Sequence, residues 1–159
     1  MANEASHFAS ILDHIGRDVL EQLRGVPEAL LNQPLALPET NTLFALATHL
    51  VGAGEKWILV EVGGQTIPRD REAEFRATGT LAELVARYER WIAGCHEVLE
   101  SLPDEAMLRV VESAFTAWFA SLPNPPTVRD CLLHAVAHSS LHQGHIQLTC
   151  QILSQQAHL

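Results

Sequence analysis

The stretch "LLHAVAHSSLHQGHIQL", Leu132 to Leu148, sets His134, His138, His142 and His145 in an otherwise apolar run. Histidine is not a default core residue, and these four are spaced four, four and three apart. At about 100° per residue they fall at phases of about 0°, 40°, 80° and 20°, so all four share one helix face. Imidazoles at i and i+4 sit one turn apart and can aim ring nitrogens at a common point. A divalent metal about 2.0–2.1 Å from each nitrogen is the usual occupant of such a point. Without a metal, four buried imidazoles need up to about eight hydrogen-bond positions filled, each costly to leave open. Spacing alone permits the pairs 134/138, 138/142 and 142/145.

Two ligands do not hold an ion, so a third must come from another helix. His49, in "ALATHLVGAGEKW", is the best placed, bordered at helical spacing by Leu46 and Ala53 at the edge of an apolar stripe. His7 and His14 flank a first apolar stripe and are expected to be exposed; His96 borders another; His158 lies in the C-terminal tail. A lone histidine at a stripe edge is more often ordinary packing than a ligand, and His49 gains its weight from the cluster.

Three neutral imidazoles leave a divalent metal one or two open positions, as in centres that do chemistry. No carboxylate ligand is evident, so the ion keeps its full charge. It can lower the pKa of bound water to about 7 or hold a thiol as thiolate, a strong nucleophile without a separate general base. No HExxH glutamate is present, and Glu55 falls on the far side of its helix from His49. Metal-assisted hydrolysis of a small-molecule substrate is open, as is a metal-binding or stress-response role without turnover. Imidazole suits zinc, nickel, copper and iron alike. Protons are expected to compete with the metal through the ordinary histidine range, near about 6.5.

Helical periodicity appears four times. The first stripe is Phe8, Ile11, Leu12, Ile15, Val19 and Leu23, ending near Gly25 and Pro27. The second helix is expected to start with Thr40 or Asn41 as N-cap and to run to Gly63-Gly64, a C-terminal signal. Residues 65–79 are polar and charged, a surface loop with room for one helical turn. The third stripe runs Leu81, Leu84, Val85, Tyr88, Trp91, Ile92, Cys95, Leu99, with Glu83, Arg87, Arg90 and Glu97 on the wet side. Residues 103–126 are ambiguous between strand and helical turn. Thr127 and Asp130 resemble a capping box that opens the histidine helix, about Val128 to Ser154. The pattern predicts an all-α fold, a four-helix bundle with a long irregular connection between helices 3 and 4, as one domain over 1–159.

Of the 159 residues, 47% are apolar and 18% charged, a globular composition. Nineteen acids against ten bases give a net charge of -9. No basic footprint is visible, so neither a nucleic acid nor a membrane surface is expected as a partner. The N-terminus lacks the features of a secretory signal, and no segment approaches the roughly 20 apolar residues of a membrane span. Cys95, Cys131 and Cys150 form no CxxC pair, and free thiols fit a cytoplasmic protein. Cys131 and Cys150 are candidate extra thiols, though small core residues are the plainer reading. The apolar segment Val110–Leu122, with Phe115, Trp118 and Phe119, is expected to cover the site or join a homodimer contact.

Two motifs in order, "LATHLVGAGEKWI" and the H-x-x-x-H-x-G stretch "HSSLHQGHI", resemble the DinB/YfiT-like family of metal-dependent four-helix proteins. The resemblance implies a three-histidine site in which His49 is the second-helix ligand and His138 and His142 are the fourth-helix ligands, with Gly144 as the motif glycine. His134 and His145 then flank the ligands as candidate supporting groups. Some relatives in the family resemble transferases or isomerases that use low-molecular-weight thiols such as bacillithiol, mycothiol or glutathione, which implies such a thiol as a cofactor here and thiol transfer to a small-molecule substrate as the reaction. Gln143 and His145 stand where Arg and Gln are common, which leaves the ligands intact but alters any substrate contact.

Overall fold

The structure is a computed structural model that describes residues 3–112, 119–121 and 124–156. Helix α1 (Glu4–Arg24) begins where the Asn3 side chain accepts from the Ser6 amide at 2.7 Å, satisfying an N–H with no intrahelical partner. Its stripe of Leu12, Ile15, Val19 and Leu23 is buried, and the one-turn helix α2 (Glu28–Leu31) adds Leu31 to the core. Helix α3 (Leu43–Gly54) is capped by Thr42, whose hydroxyl accepts from the Ala45 amide at 3.1 Å. Neither Thr40 nor Asn41 is the cap: the Thr40 hydroxyl donates instead to the Leu37 carbonyl at 2.9 Å.

Every residue of α3 is buried, and the helix widens into a π-helix over Glu55–Val62 before stopping at Gly63. Together these form a 20-residue stretch, Leu43–Val62, with a mean hydropathy of 1.3. By length and composition it could cross a bilayer, which corrects the expectation that no segment comes close. The cause lies in the packing, since most of the stretch is buried inside the bundle and needs no polar face.

Residues 65–79 form the expected connection, and its helical turn is α4 (Arg71–Glu74), capped by Asp70. Helix α5 (Leu81–Glu100) opens on a capping box of Thr80 and Glu83 and buries Leu84, Tyr88, Trp91, Ile92, Cys95 and Leu99. The ambiguous stretch that follows has 3-10 turns at Asp104–Leu108 and Phe119–Ser121 and a single bridge from Val110 to Thr127. Helix α6 (Val128–Gln156) starts as anticipated, with Asp130 accepting from the amide and hydroxyl of Thr127, both at 2.7 Å.

Helix α1 packs on α5 and α6, and α3 packs on α6 and α5. The result is an all-α four-helix bundle with a long irregular link before α6. Gly54 lets α3 and α5 meet closely: a Cβ there would lie 2.5 Å from the Trp91 indole. Nearby, the buried Tyr88 hydroxyl donates to the Ala47 carbonyl at 2.8 Å. These contacts fix α3 against its neighbours and so set where His49 points.

Candidate metal centre

His49 on α3 is 4% exposed, and His138 and His142 on α6 are half-buried. One ring nitrogen from each lies within 4.8 Å of the others, a group that could hold a metal ion. A tetrahedral ion about 2.0–2.1 Å from each nitrogen would set them about 3.4 Å apart, so the rings would close by up to about 1.5 Å around it. Ring centroids are 5.1 Å apart for His49 and His138, 4.8 Å for His49 and His142, and 4.5 Å for His138 and His142. The Nδ1 atoms of His138 and His142 are buried and, among the described residues, find no hydrogen-bond partner. Each such atom costs about 1–3 kcal/mol if left unpaired. Burial, then the neighbouring rings, pushes the His138 pKa down to about 3 and that of His142 to about 4. Both rings are therefore neutral near pH 7, the state a metal requires.

His49 is oriented by a residue that no sequence pattern singled out. Its Nδ1 lies 2.8 Å from Glu74 Oε2, and Glu74 is buried. Arg69 grips the same carboxylate at both ends, Nε to Oε1 at 2.6 Å and Nη2 to Oε2 at 2.9 Å. Burial alone would raise the Glu74 pKa, but the hydrogen bonds from Arg69 and His49 outweigh it and hold it at about 2. An ionised carboxylate only accepts, so Nδ1 of His49 donates to Glu74, and Nε2 is the nitrogen left to face a metal. Phe75 covers the ring, centroid to centroid 4.4 Å. Gly52 makes room, since a Cβ there would lie 2.2 Å from Glu74 Oε1. The available signal was Gly52 itself, three residues past His49 in the middle of a helix.

His134 and His145 stand at opposite ends of the histidine row. The His134 ring packs on Trp57 at 4.6 Å and Phe119 at 5.6 Å, an aromatic wall. Trp57 belongs to the π-helical segment. His145 is exposed, its ring 5.3 Å from that of His142. Phe119 is buried on this wall, whereas Phe115, Trp118 and Leu122 of the apolar segment lie outside the described residues, as does His158. His7 and His14 are exposed as expected, and His96 lies between Asp13 and Glu100 at 3.2 and 2.7 Å. Gln143 ties α6 to α1 by donating to Asp18 at 3.1 Å. A Cβ at Gly144 would meet nothing within 4 Å, so packing does not explain that glycine. Cys131 is buried, and burial raises its thiol to about 12, which makes it a packing residue.

Fold and cluster together define a helical bundle carrying three histidines that could bind a metal ion. The sequence model of the DinB superfamily matches residues 11–146, and the chain belongs to that superfamily. Its fold is similar to that of a conserved protein from Enterococcus faecalis, with a TM-score of 0.73 and 16% identity over 96% of this chain and 98% of that one. It is also similar to the colibactin self-resistance protein ClbS in complex with double-stranded DNA, with a TM-score of 0.61 and 14% identity over 89% and 92%. At these identities the likeness is one of fold. A search of curated proteins found no match.

The ClbS complex overturns the expectation that a nucleic acid is excluded as a partner. That expectation rested on net charge, which sums over the whole surface, whereas phosphate contact depends on local basic groups. Arg69, Arg71 and Arg76 lie on or beside α4, with Arg69 paired to Glu74 and Arg71 to Glu72.

Proposed function

We propose that His49, His138 and His142 hold a divalent metal ion and that the protein is a metal-dependent enzyme acting on a small molecule. The observation that carries the reading is the convergence of three ring nitrogens within 4.8 Å, with the Nδ1 atoms of both α6 histidines buried and unpartnered. Zinc, nickel and iron all suit imidazole. A divalent ion there would act as a Lewis acid, making a bound water or thiol nucleophilic near neutral pH. Glu74 fixes the tautomer of His49 and makes that ring a better donor. The wall of Trp57, Phe119 and His134 closes one end of the row, and the exposed His145 stands at the other, where it can hydrogen-bond a substrate. Hydrolysis and transfer of a low-molecular-weight thiol are the two reactions this arrangement serves. A cytoplasmic setting belongs to the same reading, supported by three free cysteines.

The test begins with metal content of the purified protein and titration of the stripped protein. A screen for thiol consumption against electrophiles, with several thiols, follows. A metal-loaded protein inert toward every electrophile and ester would favour metal storage or stress response without turnover. Protein with all three histidines intact that takes up no divalent ion would overturn the reading.

A second reading, with duplex DNA as the partner, is favoured by the ClbS complex, with Arg71 and Arg76 beside α4 as candidate phosphate contacts. Fluorescence anisotropy with a labelled duplex at low and moderate salt checks it. Contact through these groups requires affinity that falls with salt and falls further for Arg71→Ala. A flat titration at low salt would dismiss it.

A further inference from the structure

We propose that the groove beside His145 is the subsite for a hydrocarbon group of the substrate, an alkyl or aryl substituent on the molecule whose reacting atom meets the three histidines. The inference rests on the metal reading and extends it to substrate class.

The groove has a volume of about 290 Å³, at the lower end for small-molecule sites. Leu35 and Leu37 form one wall, Leu148 and Ile152 the other, with Leu46 and His145 also lining it. Two of these residues link the groove to the cluster. Leu46 lies one helical turn before His49 on α3, and the His145 ring stacks edge-on against His142 at 5.3 Å. At the other end of the row, Trp57 and Phe119 close off His134. A substrate that meets the cluster from the His145 side lays its remainder in the groove.

Large apolar side chains stand open there. Leu37 is 50% exposed and Leu148 56%, area that an apolar ligand would remove from water. The wall carrying Leu37 is a shaped turn and not a slack loop. Glu39 is held at φ 58°, the one non-glycine with positive φ among the described residues. Left-handed backbone at a bulky residue costs energy and persists where surrounding contacts enforce it. The Thr40 hydroxyl pins the same turn through the Leu37 carbonyl. Asn41 at the rim supplies a polar group to orient the ligand.

The test uses zinc-loaded protein and a series of straight-chain alkyl hydroxamates, whose head groups bind metal, read by isothermal titration. Zinc uptake is measured first. Affinity should rise from acetohydroxamate to hexanohydroxamate by at least about ten-fold, since each fully buried methylene is worth up to about four-fold. Leu148→Asp and, on the facing wall, Leu37→Asp should each flatten that rise. Zinc uptake with no dependence on chain length, or with the same dependence in both variants, overturns this inference and leaves the metal reading standing. Absence of zinc uptake overturns the metal reading and this inference with it.

Discussion

Glu74 decides how well His49 can serve as a ligand, because a ring free to rotate or to swap tautomer would present a lone pair only part of the time. Replacing it with Gln keeps the shape and loses the charge. Glu74→Gln should weaken metal affinity by about 10–100-fold with helix content unchanged, measured by metal titration and circular dichroism. His138→Ala and His142→Ala should each empty the site, while His134→Ala, on its aromatic wall, should retain most of the metal. The two α6 rings also set a pH dependence. Their native pKa values, about 3 and about 4, lie below the unfolded value near about 6.5. Between those limits the unfolded chain binds protons that the fold refuses, so the contribution is complete above about pH 6.5. Metal-free protein should lose stability as pH falls from there toward 4. The sequence alone suggested that protons displace the metal near pH 6.5; the burial of His138 and His142 moves that competition down toward pH 4. Thermal midpoints with and without chelator at pH 8, 5 and 4 check this: the gap should persist at pH 5 and shrink at pH 4. The four histidines were legible because their spacing is a local pattern. Glu74 was not, because it sits in a charged stretch and its burial depends on a helix distant in the chain.

Two glycines of the α3 region make separable demands on the fold. A methyl at Gly52 would strike the Glu74 carboxylate, and one at Gly54 the Trp91 indole. The carboxylate can be displaced; the indole is locked in the core. Gly52→Ala should therefore cost metal affinity with little change in the denaturation midpoint. Gly54→Ala should lower the midpoint, through a stability loss of about 1–2 kcal/mol once overpacking is set against the helix propensity gained. Comparable losses of affinity and stability in both variants would contradict this division. The long helices were readable in the sequence because each alternates wet and dry faces at helical period, or, for α3, runs apolar between clear stops. The π-helix over Glu55–Val62 was not readable, since its residues differ in no way from α-helical ones. It packs on α5 and α6, and it places Trp57 on the histidine wall. Thr42 was passed over as the cap for a related reason: three polar residues in a row, Thr40 to Thr42, all qualify by type.

A metal held by His49 and by α6 would join two helices in the native state only, so it should stabilise the whole bundle by mass action. At free metal about 100 times Kd the gain is about 2.7 kcal/mol, or on the order of 5–11 °C in thermal midpoint for a chain of this size. A scanning calorimetry trace that does not move on metal addition would contradict the cross-link. Four-helix architecture was accessible from pattern alone; the exclusion of nucleic acid was not, because an overall charge says little about one local surface. The full burial of α3 bears, finally, on how the protein is made. During synthesis α3 leaves the ribosome well before α5 and α6, the helices that cover it. For that interval the nascent chain exposes a stretch that could pass for a membrane segment in length and hydropathy, the kind of surface that recruits chaperones and membrane-targeting factors. The helix that brings two of the three clustered histidines is thus also the cover that α3 awaits, and a ribosome stalled before α6 should hold a chain bound by chaperones until translation resumes.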